Sequence, residues 1–170
     1  MLCSKEVCPV SGVARLKLLS REQAILEFNR RVLAQAQRED VPLLERLRYI
    51  CILSSNLDEF FEVRYADILE ASKTRGTGIG PQYLADVAKE AHQLVQDQYH
   101  VFNEVLGPQF LKAHLGPCPW TRTMISGGVS TDEANLRGWF EAGATCVGLG
   151  SKLISKDVLD AKDWDSLSLR

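Results

Sequence analysis

The chain has 170 residues, 45% apolar and 25% charged, the proportions of a soluble globular protein rather than a disordered one. With a formal net charge of −2 and thinly spread Lys and Arg, it carries no footprint for sequence-independent nucleic-acid binding. No apolar run approaches the roughly 18–20 residues of a membrane span, so neither nucleic acid nor membrane is an expected partner.

Residues 1–18 form an N-terminal tail. Its start, MLCSKEVCPVSGVARLK, has no apolar h-region, so export is not expected and a cytoplasmic location is. The five cysteines, Cys3, Cys8, Cys51, Cys118 and Cys146, are odd in number, and no pair has the spacing of a zinc or redox motif. Cys51 and Cys146 stand in apolar stretches, where a thiol acts as a small hydrophobe. Cys3 and Cys8 have no nearby histidine to complete a metal site, and all five read as reduced thiols.

Helical patterning begins at SREQAILEFNRRVLAQAQRED. Ser20 and Gln23 have capping-box spacing, and Ile25, Phe28, Val32 and Ala36 follow at helical intervals. Pro42 suits the first turn of a second helix, in which LLERLRYICIL is largely apolar all round after Arg48 and is expected to be buried on several sides. A third helix is expected in SSNLDEFFEVRYADILEAS, where Asn56 and Glu59 form another capping-box pair. The glycines of TRGTGIG invite a phosphate-loop reading, but they follow a helix where dinucleotide loops follow a strand, so an interhelix loop is expected. From Pro81 a long helix carries Leu84, Val87, Ala91, Leu94, Val95, Phe102 and Val105 on one side. His92 and His100 are eight apart and make no ligand set. The pattern predicts an antiparallel bundle of about four helices between residues 20 and 106.

Over residues 19–106, the strings LEFNRRVL, PLLERLR and SSNLDEFFEVR closely resemble the N-terminal helical domain of the long bacterial polyphosphate kinases. One departure is Ser20-Arg21-Glu22-Gln23-Ala24, where the family usually has Asn-Arg-Glu-Leu-Ser. The resemblance implies phosphotransferase chemistry between ATP and polyphosphate through a phosphohistidine, with Mg²⁺ in the full enzyme. It also implies a nucleotide contact at Asn56, whose amide would otherwise serve only as a helix cap. The phosphoryl-accepting histidine, its arginines and the Mg²⁺ ligands belong to other domains of that family. His92, His100 and His114 do not occupy its catalytic motifs, so no catalytic residue, metal ligand or cofactor of its own is assigned to this chain.

The last third changes pattern. TRTMISGGVSTDEANLRGWFEAGATCVGLGSKLI reads as strand, Gly-Gly turn, helix ending near Gly143, apolar strand and Gly-Ser turn: a βαβ unit. Glycine-rich turns after both strands can aim backbone N–H groups at an anion, or can merely permit tight turns. Over residues 107–154 this stretch resembles the C-terminal part of 2-keto-3-deoxy-6-phosphogluconate (KDPG) aldolases, with Ser126 where that family usually has Thr. The resemblance places phosphate contacts at Gly127, Gly128, Gly150 and Ser151. The family's Schiff-base lysine has no counterpart here: its place falls in QYHVFNEV, and neither Lys112 nor Lys152 occupies it. The family's general-base glutamate has no counterpart either.

The expected fold is therefore α-rich, an antiparallel helical bundle followed by a partial β/α unit resembling the last strands of a (β/α)8 barrel. A quarter of a barrel cannot close its sheet. It must dock on the bundle, pair with another copy or remain partly disordered. Residues 155–170 read as a terminal helix and tail. Three functions follow as alternatives: a kinase-derived module for ATP contact and dimerisation, a phosphate-binding aldolase remnant, or a gene fusion without activity. ATP, polyphosphate or a sugar phosphate are the ligands these readings admit, and a homo-oligomer is the expected assembly.

Overall fold

The computed structural model describes residues 19–74, 79–150 and Asp160. Cys3, Cys8, most of the TRGTGIG loop, Ser151 and Lys152 fall outside the described residues. Within them the chain is helix-rich, with one two-stranded sheet.

Helix α1 (Arg21–Gln37) starts where the Ser20–Gln23 pair closes a capping box. The Gln23 N–H donates to the Ser20 hydroxyl at 3.2 Å and the Ser20 N–H to the Gln23 side chain at 3.5 Å. Its buried stripe is Leu26, Asn29, Leu33 and Ala36. Sequence periodicity put that stripe on Ile25, Phe28, Val32 and Ala36 with Leu33 beside it; Ala36 is common to both, and Ile25, Phe28 and Val32 each precede a buried residue by one. Both rows of α1 are apolar enough to serve, and the helices packed against it select between them.

Helix α2 (Leu43–Glu59) passes without a break through a π-helical turn (Phe60–Tyr65) into α3 (Ala66–Lys73). The two helices expected over this stretch are one rod, and Asn56 lies inside it rather than at a cap. The Asn56–Glu59 spacing fits a capping box, but nothing between Ile50 and Phe60 interrupts helical φ/ψ, and Leu53, Leu57 and Phe60 continue one buried stripe. After Arg48 the stretch is buried on the face of Ile50 and Leu53, while Cys51 and Ile52 are exposed.

A third rod comprises α4 (Pro81–His100), a second π-helical turn (Val101–Leu106) and α5 (Gly107–Leu115). Pro81 fits the first turn, where its missing N–H costs nothing. Pro108 would clash with the carbonyl four residues back in a regular helix. The wider π turn just before it relieves that conflict. The helix thus runs straight across position 106, where the sequence changes style; the first irregular backbone comes after Leu115.

The rods share a core of Leu26, Leu53, Phe60, Val87, Leu94 and Leu106. Arg46 crosses it, 4% exposed. Its Nε donates to the Ala36 carbonyl at 2.7 Å and an Nη to the Gln109 side chain at 3.0 Å, joining all three rods. Ala36 lies in the last turn of α1, so the guanidinium meets the negative end of that helix.

Beyond α5, strands β1 (Met124–Ile125) and β2 (Cys146–Val147) pair in parallel, Met124 with Cys146 and Ile125 with Val147. Helix α6 (Glu133–Glu141) connects them, capped by Asp132. The ladder is only two residues long, shorter than the apolar run TCVGLGS allows, and the Cys146 side chain is exposed rather than packed. A second core of Leu111, Val129, Trp139, Ala142 and Ala144 fills the space between this unit and α5. Helix α5 serves both cores, Phe110 facing the first and Leu111 the second. The strand–helix unit thus packs against α5.

Candidate functional site

Asn56 lines an open cleft of about 210 Å³ between α1 and the second rod, together with Ile25, Phe28, Asn29, Glu59, Phe60 and Arg64. Asn56, Phe60 and Arg64 are spaced by four. In a regular α-helix, at about 100° per residue, that series drifts steadily around the axis. The π turn at Phe60–Tyr65 takes up an extra residue and keeps Arg64 on the cleft side.

The floor of the cleft is an amide pair. Asn56 Nδ2 donates to Asn29 Oδ1 at 2.8 Å. Asn29 is 1% exposed, and its own Nδ2 has no partner. One wall is the Phe28 ring, half-exposed, with the Arg31 guanidinium 5.9 Å from its centroid. Neither Arg64 nor Glu59 has an ion-pair partner among the described residues. The cleft therefore offers an aromatic face, a hydrogen-bonding amide and an uncommitted cation.

Sequence reasoning singled out Asn56 but passed over Asn29, Phe28 and Arg64 as site residues. A signal for Asn29 was present: an amide at the register of a buried stripe must find a polar partner. Recognising it required the correct stripe.

At the mouth of α1 a second polar cluster forms. The Tyr83 hydroxyl donates to Glu22 at 2.6 Å and lies 2.9 Å from the Ser20 hydroxyl. Partial burial, then the Glu22 carboxylate, push the Tyr83 phenol above its ordinary pKa.

The glycine turns lie at the carboxyl ends of β1 and β2. Gly128 has φ +70°, and a Cβ there would come within 2.6 Å of the Asn103 side chain, so only glycine fits. Its carbonyl accepts from Asn135 Nδ2 at 3.3 Å, and Asn135 Oδ1 accepts from the Ser130 N–H at 2.9 Å. Gly127 and Gly150 face open space, while the Gly148 N–H is committed to the Ile125 carbonyl at 2.7 Å. Asp132 and Glu133 place carboxylates at the start of α6 beside the first turn, which opposes an anion there.

The histidines are engaged separately: His92 with the Ala88 carbonyl, His100 with Glu104, His114 with Thr121. Among the described residues no group of three or more His, Cys, Asp or Glu is placed to hold a metal ion.

Residues 18–116 match the family model for the polyphosphate kinase N-terminal domain, so the match runs through α5 and stops before β1. The polyphosphate kinase of Neisseria gonorrhoeae (strain ATCC 700825 / FA 1090) is 49% identical over 102 residues, covering 56% of this chain and 15% of that protein. The polyphosphate kinase of Burkholderia vietnamiensis (strain G4 / LMG 22486) is 50% identical over 101 residues, with the same coverage of each chain. The chain spans about 15% of the length of these curated relatives.

Proposed function

The chain belongs, over residues 18–116, to the polyphosphate kinase N-terminal domain family, and from that premise we propose that its helical part is the nucleotide-contacting wall of a phosphotransferase. The three rods are read as an antiparallel bundle whose cleft takes ATP, with Asn56 at the base. The carrying observation is the position of Asn56, inside a helix and facing an open cleft, where capping no longer accounts for it. Phe28 supplies a face for a base, and Arg64 a charge for a phosphate or polyphosphate. Turnover is not assigned to the 170 residues, because phosphoryl transfer needs several cations converging on the equatorial oxygens and this cleft supplies one. Dimerisation belongs to the same reading; exposed Tyr99 and Phe102 beside Leu47 and Cys51 support it, forming an apolar groove of about 290 Å³.

The test is calorimetric titration of ATP into the wild-type chain and Asn56→Ala. Loss of roughly tenfold in affinity supports the reading, about one hydrogen bond to a ligand. Equal affinity of the two proteins removes it.

A second reading treats the part of residues 107–154 that lies beyond the family match as an aldolase-like fragment contacting a sugar phosphate at Gly127, Gly128, Gly150 and Ser151. The parallel β1–α6–β2 crossover supports it; the carboxylates of Asp132 and Glu133 weigh against it. A gene fusion with neither ligand is the third. Inorganic phosphate and the keto-deoxy sugar phosphate, titrated in turn, separate these two.

A further inference from the structure

We propose that the cavity at the amino ends of β1 and β2 binds a mononucleotide, with Trp120 stacking on the base and Arg122 holding the phosphate. Trp120 and Arg122 precede β1, and Gly143 and Thr145 precede β2, so the cavity lies at the opposite end of the sheet from the glycine turns. It shares no lining residue with the Asn56 cleft and rests on neither reading above.

Helix α5 ends at Leu115, and the chain turns back towards β1 through a fastened loop. The Cys118 N–H donates to the His114 carbonyl at 3.2 Å, and the Thr121 N–H to the Cys118 carbonyl at 3.1 Å. The Thr121 hydroxyl donates to that same carbonyl at 2.8 Å and lies 3.3 Å from His114 Nε2. On the other side, the Thr145 N–H donates to the Thr123 carbonyl at 3.0 Å. Gly143 has φ +103°, and a Cβ there would collide with the Leu115 side chain, so these two residues close the floor. The cavity between the two segments measures about 600 Å³, within the small-molecule range of about 300–1,000 Å³.

Trp120 lines this cavity, 74% exposed and without a ring contact among the described residues. An indole left in water forgoes the free energy that its burial would give. On a loose loop that would mean little, but a hydrogen-bonded turn presents the ring in one place. Arg122 is exposed and has no ion-pair partner among the described residues. No carboxylate lines the cavity, so its local field favours an anion although the chain carries a formal −2. The planar guanidinium suits phosphate oxygens, and one guanidinium suits one phosphate. A flat ring and a single anionic group on one small molecule describe a nucleoside monophosphate. Stacking on an indole tolerates any base, so the choice of base is left open by the site.

AMP, adenosine and ribose 5-phosphate are titrated calorimetrically into the wild-type chain, Trp120→Ala, Trp120→Phe, Arg122→Gln and Asn56→Ala. Both Trp120 and Arg122 are exposed, so their substitution leaves the fold intact. The wild-type chain binds AMP with a Kd below about 1 mM. Trp120→Ala weakens AMP roughly tenfold and leaves ribose 5-phosphate unmoved. Trp120→Phe, which keeps a stacking face, retains most of the affinity. Arg122→Gln weakens AMP and ribose 5-phosphate alike and leaves adenosine unmoved. Equal AMP affinity in the wild-type chain and Trp120→Ala overturns the proposal, as does absence of AMP binding by the wild-type chain. Equal wild-type affinities for AMP and ribose 5-phosphate overturn it too, since the site would then hold phosphate alone. Loss of AMP confined to Asn56→Ala places the nucleotide in the other cleft and sinks this inference. Loss confined to the Trp120 and Arg122 variants supports it, whatever becomes of the Asn56 reading.

Discussion

The guanidinium of Arg46 donates through Nε to the carbonyl of Ala36, 2.7 Å away, across the interface between α2 and the end of α1. No carboxylate takes part. The charge is met by a helix terminus and by the Gln109 amide, so the contact ties the ends of three rods with backbone and neutral groups.

Arg46→Ala is expected to lower unfolding stability by about 2–4 kcal/mol, since a bond from a charged donor is lost and the Ala36 carbonyl is stranded. Urea denaturation followed by circular dichroism measures it. A change below about 0.5 kcal/mol would mean that water replaces the guanidinium without loss.

Phe60 is 1% exposed at the start of the first π turn and belongs to the main core. Phe60→Ala is expected to cost about 3–5 kcal/mol through the cavity it leaves. ATP affinity should fall with it even where the variant stays folded, because the same ring lines the Asn56 cleft.

Trp139 presses its ring against Gly107, where a Cβ would come within 2.5 Å of Cη2. Trp139→Ala is expected to release the strand–helix unit from α5 while leaving the rods intact. Hydrogen exchange reports this as lost amide protection in α6 with protection kept in α1 and α4. Uniform loss across the chain would instead show that the two cores unfold together.

Gly128→Ala combines a left-handed φ with a clash against Asn103, and about 1–3 kcal/mol of destabilisation is expected. Any loss of phosphate binding on changing Gly128 is therefore ambiguous. Gly127→Ala, at a position with open space around it, is the cleaner probe of the anion reading.

Tyr83 gives a pH dependence. Its folded pKa lies above the ordinary value of 10.0, so the unfolded chain releases the proton first as pH rises. Its contribution is intact below the unfolded pKa and is lost as pH climbs through the folded one. Between about pH 9 and 11, thermal stability of the wild-type chain should fall more steeply than that of Tyr83→Phe. Parallel curves would remove the linkage.

The sequence by itself determined the helix-rich class, the capping box at Ser20, the family through its local strings, and the end of α6 near Gly143. These are short-range matters of φ/ψ preference, capping and turn chemistry, which a few adjacent residues decide. Tertiary structure decided which stripe of α1 is buried, because two neighbouring rows were both apolar enough and only the facing helices could choose. It also joined α2 to α3 through Asn56, where a capping-box spacing suggested a break, since packing of Leu53, Leu57 and Phe60 on one face outweighs a local cap. And it carried α5 past Gly107 and Pro108: the π turn relieves the proline, Trp139 occupies the space beside the glycine, and neither arrangement can be seen from residues that lie close together in the chain.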